Sequence, residues 1–590
     1  MFSGSRHKVW MRCTVACGIA TIGVTAGAMQ SATASPLPVT PYSGNNPSLS
    51  RAPYVTDLTQ TSAYVNWATT SSVPGSLQIA PVGAGGCPTS TATWSAASGP
   101  LAVSTQLPYL APPSTATTTS WAFSVVNGAG TTIKEYQASV LVNGLSPGTA
   151  YCYAVFSTDK VGAVDLLPAS SAPTLGGLAV QSFTTLVSAG PSSRATTTFD
   201  VIDDTGENYL DTPLAGASAY MPFSPTGPLV NPDEASLYQQ IGQSGAQFLV
   251  DAGDTAYNNG SQTDFGDLEQ TGTTTDVSNF FGPWYYPQTG GIPLFDGSGD
   301  HNQNNTTLKL FPTPVTAARS GGNYAFVSAS GVSGFTGSAP ADWYAVNTGN
   351  VRIYVLDATW GESAASGKLG NTTGSLCGAA GSSAANNCRP YEADYLEHWQ
   401  TISAEYKWLA ADLANPANAG MVKLAVMHFP FQSDSSTQSS DPYLQNSPAN
   451  PNAATSLEAL LSANGVPITF SGHAHIYQRT IPTAPGEVVS YVSGGGGGVL
   501  APVSGSTTKL CKSMMAAGSV YAIGWSPTKG VGSYCGQGAA SADTPTSIDQ
   551  VYNFLKVTVS GNQITVSPTN ALGQVFDQQT YTDTAVPPSH

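Results

Sequence analysis

The chain has 590 residues, more than one hydrophobic core ordinarily serves, which implies two to four domains. Hydrophobic residues make up 41% and charged residues only 9%, which excludes a disordered chain and leaves Ser, Thr, Asn and Gly to supply most of the polar surface. The formal net charge of -16 and the absence of any run of Lys and Arg exclude general binding to nucleic acid or anionic membranes. An anionic substrate would therefore need local positive charge, and bound metal is the obvious source.

Residues 1–34 read as an export signal. Arg6, His7, Lys8 and Arg12 are basic, Cys13 to Ala28 is mostly apolar, and Ala32-Thr33-Ala34 is an A-x-A cleavage site. The expectation is a secreted protein, extracellular or periplasmic. No later stretch reaches the ~18–20 apolar residues of a membrane span. Beyond the signal, six cysteines remain. An even number in an exported protein favours disulfides, and proximity in sequence favours Cys87–Cys152, Cys377–Cys388 and Cys511–Cys535.

Residues 35–50, rich in Pro, Ser and Asn, form a flexible lead-in. From 51 to 187 the signals are β. Ala63-Tyr64-Val65-Asn66-Trp67 alternates with a period near two, and Tyr151 to Phe156 is a second strand candidate after the turn Leu145-Ser146-Pro147-Gly148-Thr149. Short strands with turns predict a β-sandwich. The phrase Gly144-Leu145-Ser146-Pro147-Gly148-Thr149-Ala150-Tyr151 resembles the E–F turn of fibronectin type III domains, which implies a spacer or packing module.

Residues 188–198 are a polar linker. From 199 to 582 short apolar strands alternate with helical segments, the pattern of an α/β domain. The clearest helix spans about 391–414, with Tyr395, Trp399, Ile402, Tyr406, Leu409 and Leu413 at helical spacing. Residues 551–582 return to β as a closing hairpin around Ser560-Gly561-Asn562, and 583–590 are a tail. Gly494 to Gly498 lacks the Lys-Ser/Thr of a P-loop and reads as a flexible loop.

Five times in 199–582 an apolar strand candidate runs into potential metal ligands. Phe199–Ile202 leads to Asp203-Asp204-Thr205-Gly206. Phe248–Val250 leads to Gly253-Asp254-Thr255-Ala256-Tyr257. Ile292–Phe295 leads to Gly299-Asp300-His301-Asn302. Val422–Val426 leads to His428, and Val466–Phe470 to Gly472-His473-Ala474-His475. Ligands of open α/β sheets bind beyond such strand ends. Of seven histidines, four sit here: His301, His428, His473 and His475. Carboxylate, phenolate and imidazole together suit Fe, Mn or Zn. Asp204, Asp254, Tyr257, Asp300, His428, His473 and His475 are too many ligands for one ion with an open position, but they suit two ions sharing a carboxylate, a recurrent device for phosphoester hydrolysis.

In this order the blocks DTG, GDTAY, GDHN, H and GHAH resemble those of the calcineurin-like metallophosphoesterases. Tyr257 and the extended block Gly472-His473-Ala474-His475-Ile476-Tyr477-Gln478-Arg479 resemble the purple acid phosphatases, whose plant-type members carry a fibronectin-like N-terminal domain. The resemblance covers about 51–580. It implies an α/β (α+β) metallophosphoesterase β-sandwich flanked by helices. It implies that Asp204, Tyr257 and His475 hold a ferric iron, that Asp254 bridges, and that Asp300, His428 and His473 hold a divalent ion (Fe, Zn or Mn).

In that family a metal-held hydroxide attacks the phosphorus of small phosphate monoesters in line, and the residue matching His301 stabilises or protonates the leaving oxygen. Three departures stand out. The family's usual GD in the first block is Asp203-Asp204, its GNHE or GNHD is Gly299-Asp300-His301-Asn302, and no histidine lies between His428 and His473. The alternatives are a phosphodiesterase or nucleotide-cleaving hydrolase on the same scaffold, and a binding protein that retains the fold.

Overall fold

The computed structural model describes residues 49–69, 76–87, 103–105, 120–126, 132–156, 174–175, 178–179, 182–205, 232–256, 292–297, 299, 301, 324–328, 338–357, 401, 404–436, 444–447, 450, 453–503, 519–536 and 544–586. All belong to one unit, Pro36–His590. The export signal, Tyr257, Asp300, His398, Cys377 and Cys388 fall outside the described residues.

Among the first strands are β1 (Leu49–Thr56), β2 (Ser62–Thr69), β3 (Ser76–Pro81), β4 (Thr132–Asn143), β5 (Ala150–Phe156) and β6 (Ser182–Thr184). β2 lies antiparallel between β1 and β4, while β5 lies antiparallel between β3 and β6. Val65, Trp67 and Val140 from the first group and Ile79, Tyr153 and Phe183 from the second share one core. The alternation along β2 hides no solvent face, since all eight of its residues are buried. The Tyr151 hydroxyl accepts the Ser146 N–H at 2.8 Å and pins the turn before β5. Cys87 and Cys152 form a disulfide, and Cys535 is disulfide-bonded to a residue outside the described set.

The next elements in chain order are β7 (Thr197–Ile202), α1 (Pro232–Gln243), β8 (Leu249–Asp251), β9 (Leu294–Asp296), β10 (Ser338–Thr348), β11 (Val351–Val355) and α2 (Ala404–Leu413). They are followed by β12 (Val422–Val426), α3 (Leu457–Ala463), β13 (Ile468–Ser471), β14 (Tyr477–Thr480), β15 (Val489–Ser493), β16 (Asn553–Ser560) and β17 (Gln563–Asn570). α2 is the described part of the helix expected over 391–414, and Thr401 lies in a turn. The closing hairpin is β16–β17, with Ser560 opposite Gln563 and Gly561 in left-handed backbone, φ +59°, at its tip.

Two mixed sheets result. In one, β7, β8 and β9 run parallel, with β16 antiparallel outside β7. In the other, β11, β12, β13 and β15 run parallel, with β14 antiparallel to β15. Period-two alternation explains how they stack. Phe199 and Val201 of β7, Val250 of β8, Ile353 of β11, Val422, Leu424 and Val426 of β12, and Phe470 of β13 all enter one core between the sheets.

The intervening residues face helices. Ile202 and Leu249 pack with Leu237 and Ile241 of α1, and Tyr354 and Ala425 pack with Leu409 of α2 and Leu457 and Leu461 of α3. The order of layers is therefore helix, sheet, sheet, helix. At its centre Phe199 stacks on Phe248 with ring centroids 5.4 Å apart, and Phe248 meets Phe295 edge-on at 5.2 Å. Truncating Phe248 to Ala would cost about 3–5 kcal/mol.

The β1–β2–β4 sheet is continuous with this architecture. Thr56 of β1 pairs in parallel register with Leu294 of β9, which puts the N-terminal strands and the β7–β8–β9 strands in one sheet.

Candidate metal centre

Every one of the five expected strand ends is a strand end. β7 runs into Asp203 and Asp204, β8 into Asp254, β9 into Gly299 and His301, β12 into His428, and β13 into His473 and His475. The first three come from one sheet and the last two from the other, so the groups converge where the C-terminal edges of the two sheets meet. The five ends surround one crevice, and it lies at a junction between two stacked sheets.

The closest approaches cross that junction. His428 Nε2 is 3.2 Å from Asp254 Oδ2, His428 Nδ1 is 3.2 Å from Asp203 Oδ1, and His475 Nε2 is 3.3 Å from Asp204 Oδ1. The His473 ring lies 5.3 Å from that of His428 and 4.2 Å from that of Phe429, centroid to centroid. His301 reaches the cluster through its backbone, whose N–H donates to Asp254 Oδ1 at 2.8 Å. Asp204, Asp254, His301, His428, His473 and His475 are thus brought together; Tyr257 and Asp300 lie outside the described residues.

The backbone is bent to achieve this. Five non-glycine residues among those described have positive φ, and three are expected ligands: Asp204 at +57°, Asp254 at +53° and His473 at +63°. Such conformations are uncommon, and they persist where surrounding structure enforces them, often at functional sites.

The enforcement comes partly from glycine. A Cβ on Gly299 would collide with Asp254, and one on Gly472 with the Asp203 carboxyl. Gly494 to Gly498, expected as a flexible loop, is buried packing instead. The Gly496 N–H donates to Asp203 O at 3.0 Å and the Gly498 N–H to Asp204 O at 2.9 Å. A Cβ on Gly494 would sit 2.8 Å from Asp204 Oδ2, and one on Gly498 2.8 Å from His475 Cε1. The run lets one backbone lie flat against another.

Two scaffold carboxylates accompany the expected ligands. Asp251 accepts the Gly253 N–H at 3.0 Å and the Thr205 hydroxyl at 3.1 Å, tying the β8 turn to the segment after β7. Glu234, near the start of α1, is buried behind them. The sequence reading began its second motif at Gly253 and passed over Asp251; the only signal was an acid at the end of an apolar strand.

Charge is crowded here. Asp203, Asp204, Asp251, Asp254 and Glu234 are all buried. Burial pushes Asp203 well above the usual carboxylate range, with Asp204 adding to it and His428 opposing. Burial likewise raises Asp251, and raises Glu234 with help from Asp251. Burial would raise Asp204 too, but His475, His428 and His473 outweigh it and hold its carboxyl below the ordinary value. Burial would lower His428, yet Asp254 and Asp203 hold it well above the usual imidazole range.

These residues fit metal ions. A buried carboxylate costs several kcal/mol unless compensated, so several together rival the ~5–15 kcal/mol net stability of a fold. Imidazoles and carboxylates are the donor set of Zn, Mn and Fe. Asp203, Asp204 and His428 alone present ligand atoms within 4.8 Å of one another. The orientation of His475 suits ligation: its Nδ1 lies 2.7 Å from the Val499 carbonyl, which only accepts, so Nδ1 carries the proton and Nε2 turns its lone pair toward Asp204.

The tail of the last block does a different job. Tyr477 and Arg479 point to Asp577, with Tyr477 Oη 2.9 Å and Arg479 Nε 2.7 Å from Asp577 Oδ2, and Arg479 Nη2 2.6 Å from Asp577 Oδ1. They clasp β14 to the segment after β17.

Fold and site together define an α/β protein of two stacked mixed sheets with a carboxylate–imidazole cluster, fit to hold metal, at their shared C-terminal edge. No family model and no curated protein matches the chain. Among solved structures it is similar to the purple acid phosphatase PPD1 of yellow lupin (Lupinus luteus), at 14% identity and a TM-score of 0.48, over 92% of this chain and 78% of that one. It is similar to PhoD at 11% identity and a TM-score of 0.43, over 94% and 92%. GAP50, the anchor in the inner membrane complex of Plasmodium, aligns over 66% and 89% at 12% identity and a TM-score of 0.35. At these identities and TM-scores the function has to be argued from the site itself.

Proposed function

We propose that this chain is a secreted two-metal phosphoester hydrolase, an acid phosphatase acting on small phosphate monoesters. One observation carries the reading: carboxylates and imidazoles from four strand ends of two sheets meet in one cluster, the His301 N–H reaching in from a fifth, with Asp204, Asp254 and His473 in left-handed backbone. Asp204, His475 and Tyr257 would hold a ferric iron; His428, His473 and Asp300 would hold a divalent ion; Asp254 would serve both. Tyr257 and Asp300 enter on sequence alone.

Two bound cations would neutralise phosphate charge and lower the pKa of water. The chain's own groups do the rest. The His301 N–H fixes one oxygen of Asp254, leaving the other beside His428. The His301 imidazole, at the partly exposed rim, would give a proton to the departing alkoxide. Tyr151 holding the turn before β5 as in a tyrosine corner supports the fibronectin-like reading, and the continuity of β1 with β9 suits a packing module.

The absence of histidine between His428 and His473 favours one second reading, a phosphodiesterase on the same scaffold. Parallel assays with a nitrophenyl phosphate and a bis-nitrophenyl phosphate at acid pH separate the two. Two metals per chain, a visible band lost in Tyr257→Phe and monoester turnover are expected; a metal-free protein after loading with iron and zinc would end the enzyme reading.

A further inference from the structure

We propose that Asp203, the acid standing where the resembled family has glycine, is the positioning residue for His428: it holds the imidazole by Nδ1 so that Nε2 meets a metal ion beside Asp254. The proposal rests on the metal-centre reading of the site.

His428 is fully buried, and each ring nitrogen faces a different carboxylate at 3.2 Å, Nδ1 toward Asp203 Oδ1 and Nε2 toward Asp254 Oδ2. A neutral imidazole has one N–H and one lone pair, so one carboxylate must orient the ring while the other shares the ion. Space decides between them. The Nδ1 side is closed by backbone, since even a Cβ on Gly253 would come within 2.9 Å of Nδ1 and 2.7 Å of the Gly299 backbone. The Nε2 side faces Asp254, an expected ligand, and the ring of His473, another, lies 5.3 Å from that of His428.

Asp203 is also immobilised as an orienting group should be. Its Oδ1 already accepts the Asp204 N–H at 2.8 Å. Its carboxyl lies against the Cα of Gly472, where no larger residue fits, and its own carbonyl is held by the Gly496 N–H. The same arrangement recurs at His475, where Nδ1 is fixed by an acceptor, the Val499 carbonyl, and Nε2 faces the carboxylate of Asp204. Carboxylate-to-imidazole contacts of this kind fix the ring and raise its basicity toward the ion.

The experiment titrates Zn(II) into the metal-free full chain against a chromophoric chelator, for wild type, Asp203→Ala, Asp203→Asn, His428→Ala and the double variant Asp203→Ala/His428→Ala. Thermal unfolding of each metal-free protein serves as the fold control. Two ions are expected in wild type. Asp203→Ala should weaken one of them roughly 10–100-fold. Asp203→Asn, whose amide oxygen accepts the same N–H groups, should recover most of that loss.

In the His428→Ala background, Asp203→Ala should cost nothing further, because its effect passes through the ring. Wild-type affinity in Asp203→Ala overturns the proposal. So does outright loss of one ion equal to that in His428→Ala, which would make Asp203 a ligand, and so does an undiminished penalty in the double variant, which would make it packing. A wild type that takes up no zinc removes the metal-centre reading itself, and this proposal with it.

Discussion

Asp204 Oδ1 and His475 Nε2 stand 3.3 Å apart, one at the end of β7 and the other beyond β13, so a single contact joins two separate sheets at the metal centre. Either residue removed leaves the other buried without its partner across the junction. In the metal-free protein His475→Ala should therefore lower stability to urea by about 3–5 kcal/mol. Asp204→Ala/His475→Ala should recover part of this, and both single variants should lose one metal equivalent by elemental analysis. A double variant destabilised by the sum of the two single losses would show that the pair is not coupled.

The glycine run makes a second prediction. Gly496→Ala places a methyl into the Asp203 carbonyl, and Gly472→Ala places one into the Asp203 carboxyl. Each should destabilise by about 1–3 kcal/mol or more, the range for overpacked sites, and each should weaken metal binding. Gly85, with nothing within 4 Å of an added Cβ, is the control, and Gly85→Ala should be nearly neutral. Comparable melting temperatures for all three would contradict the packing role.

Much of this was legible in the sequence because an apolar strand ending in Asp or His is a local signal. Asp204, Asp254, His428, His473 and His475 each stand within a few residues of the strand that carries them. What was not legible depends on partners distant in sequence. Alternation marks an apolar face on β7 (Phe199, Val201) and on β12 (Val422, Leu424, Val426), but it cannot say whether that face meets a second sheet or a helix. Gly494 to Gly498 looked like a loop because glycine signals freedom, while here its lack of Cβ admits Asp203 and Asp204. The Thr56–Leu294 register that joins β1 to β9 spans hundreds of residues and leaves no local trace.

The Arg479–Asp577 pair predicts a separation of stability from chemistry. It is bidentate and largely buried, with side-chain exposures of 12% and 5%. Asp577→Ala should cost about 3–5 kcal/mol by leaving Arg479 without its partner. Arg479→Lys should not rescue the clasp, since an ammonium cannot make both contacts. Metal content should stay unchanged; loss of metal in Asp577→Ala would place the clasp closer to the centre than its contacts indicate.

Asp200 sets a pH dependence outside the metal centre. It is buried in β7, accepts the Ser244 hydroxyl at 2.5 Å, and burial pushes its carboxyl up to about 8, against the pull of Ser244 and Lys556. The folded state thus binds a proton that the unfolded chain releases above the ordinary value of 3.8. The stability it contributes is fully present below that ordinary value and is lost as pH rises toward about 8. Asp200→Asn should flatten the slope of unfolding free energy across that window, measured in urea at several pH values. A slope unchanged from wild type would remove Asp200 as its source.

His301 offers the sharpest division between holding metal and using it. Its contact with Asp254 is made by the backbone N–H at 2.8 Å, which alanine retains. The imidazole is not needed for that contact and sits at the rim of the cluster, partly exposed. His301→Ala should therefore keep both ions while turnover falls roughly 10²–10⁴-fold, the range for a lost general acid. The loss should be smaller for substrates whose leaving group is a good anion, such as nitrophenolate, than for alkyl phosphates, whose alkoxide needs the proton. A parallel loss of metal, or an equal loss for both substrate types, would move His301 from proton donor to scaffold.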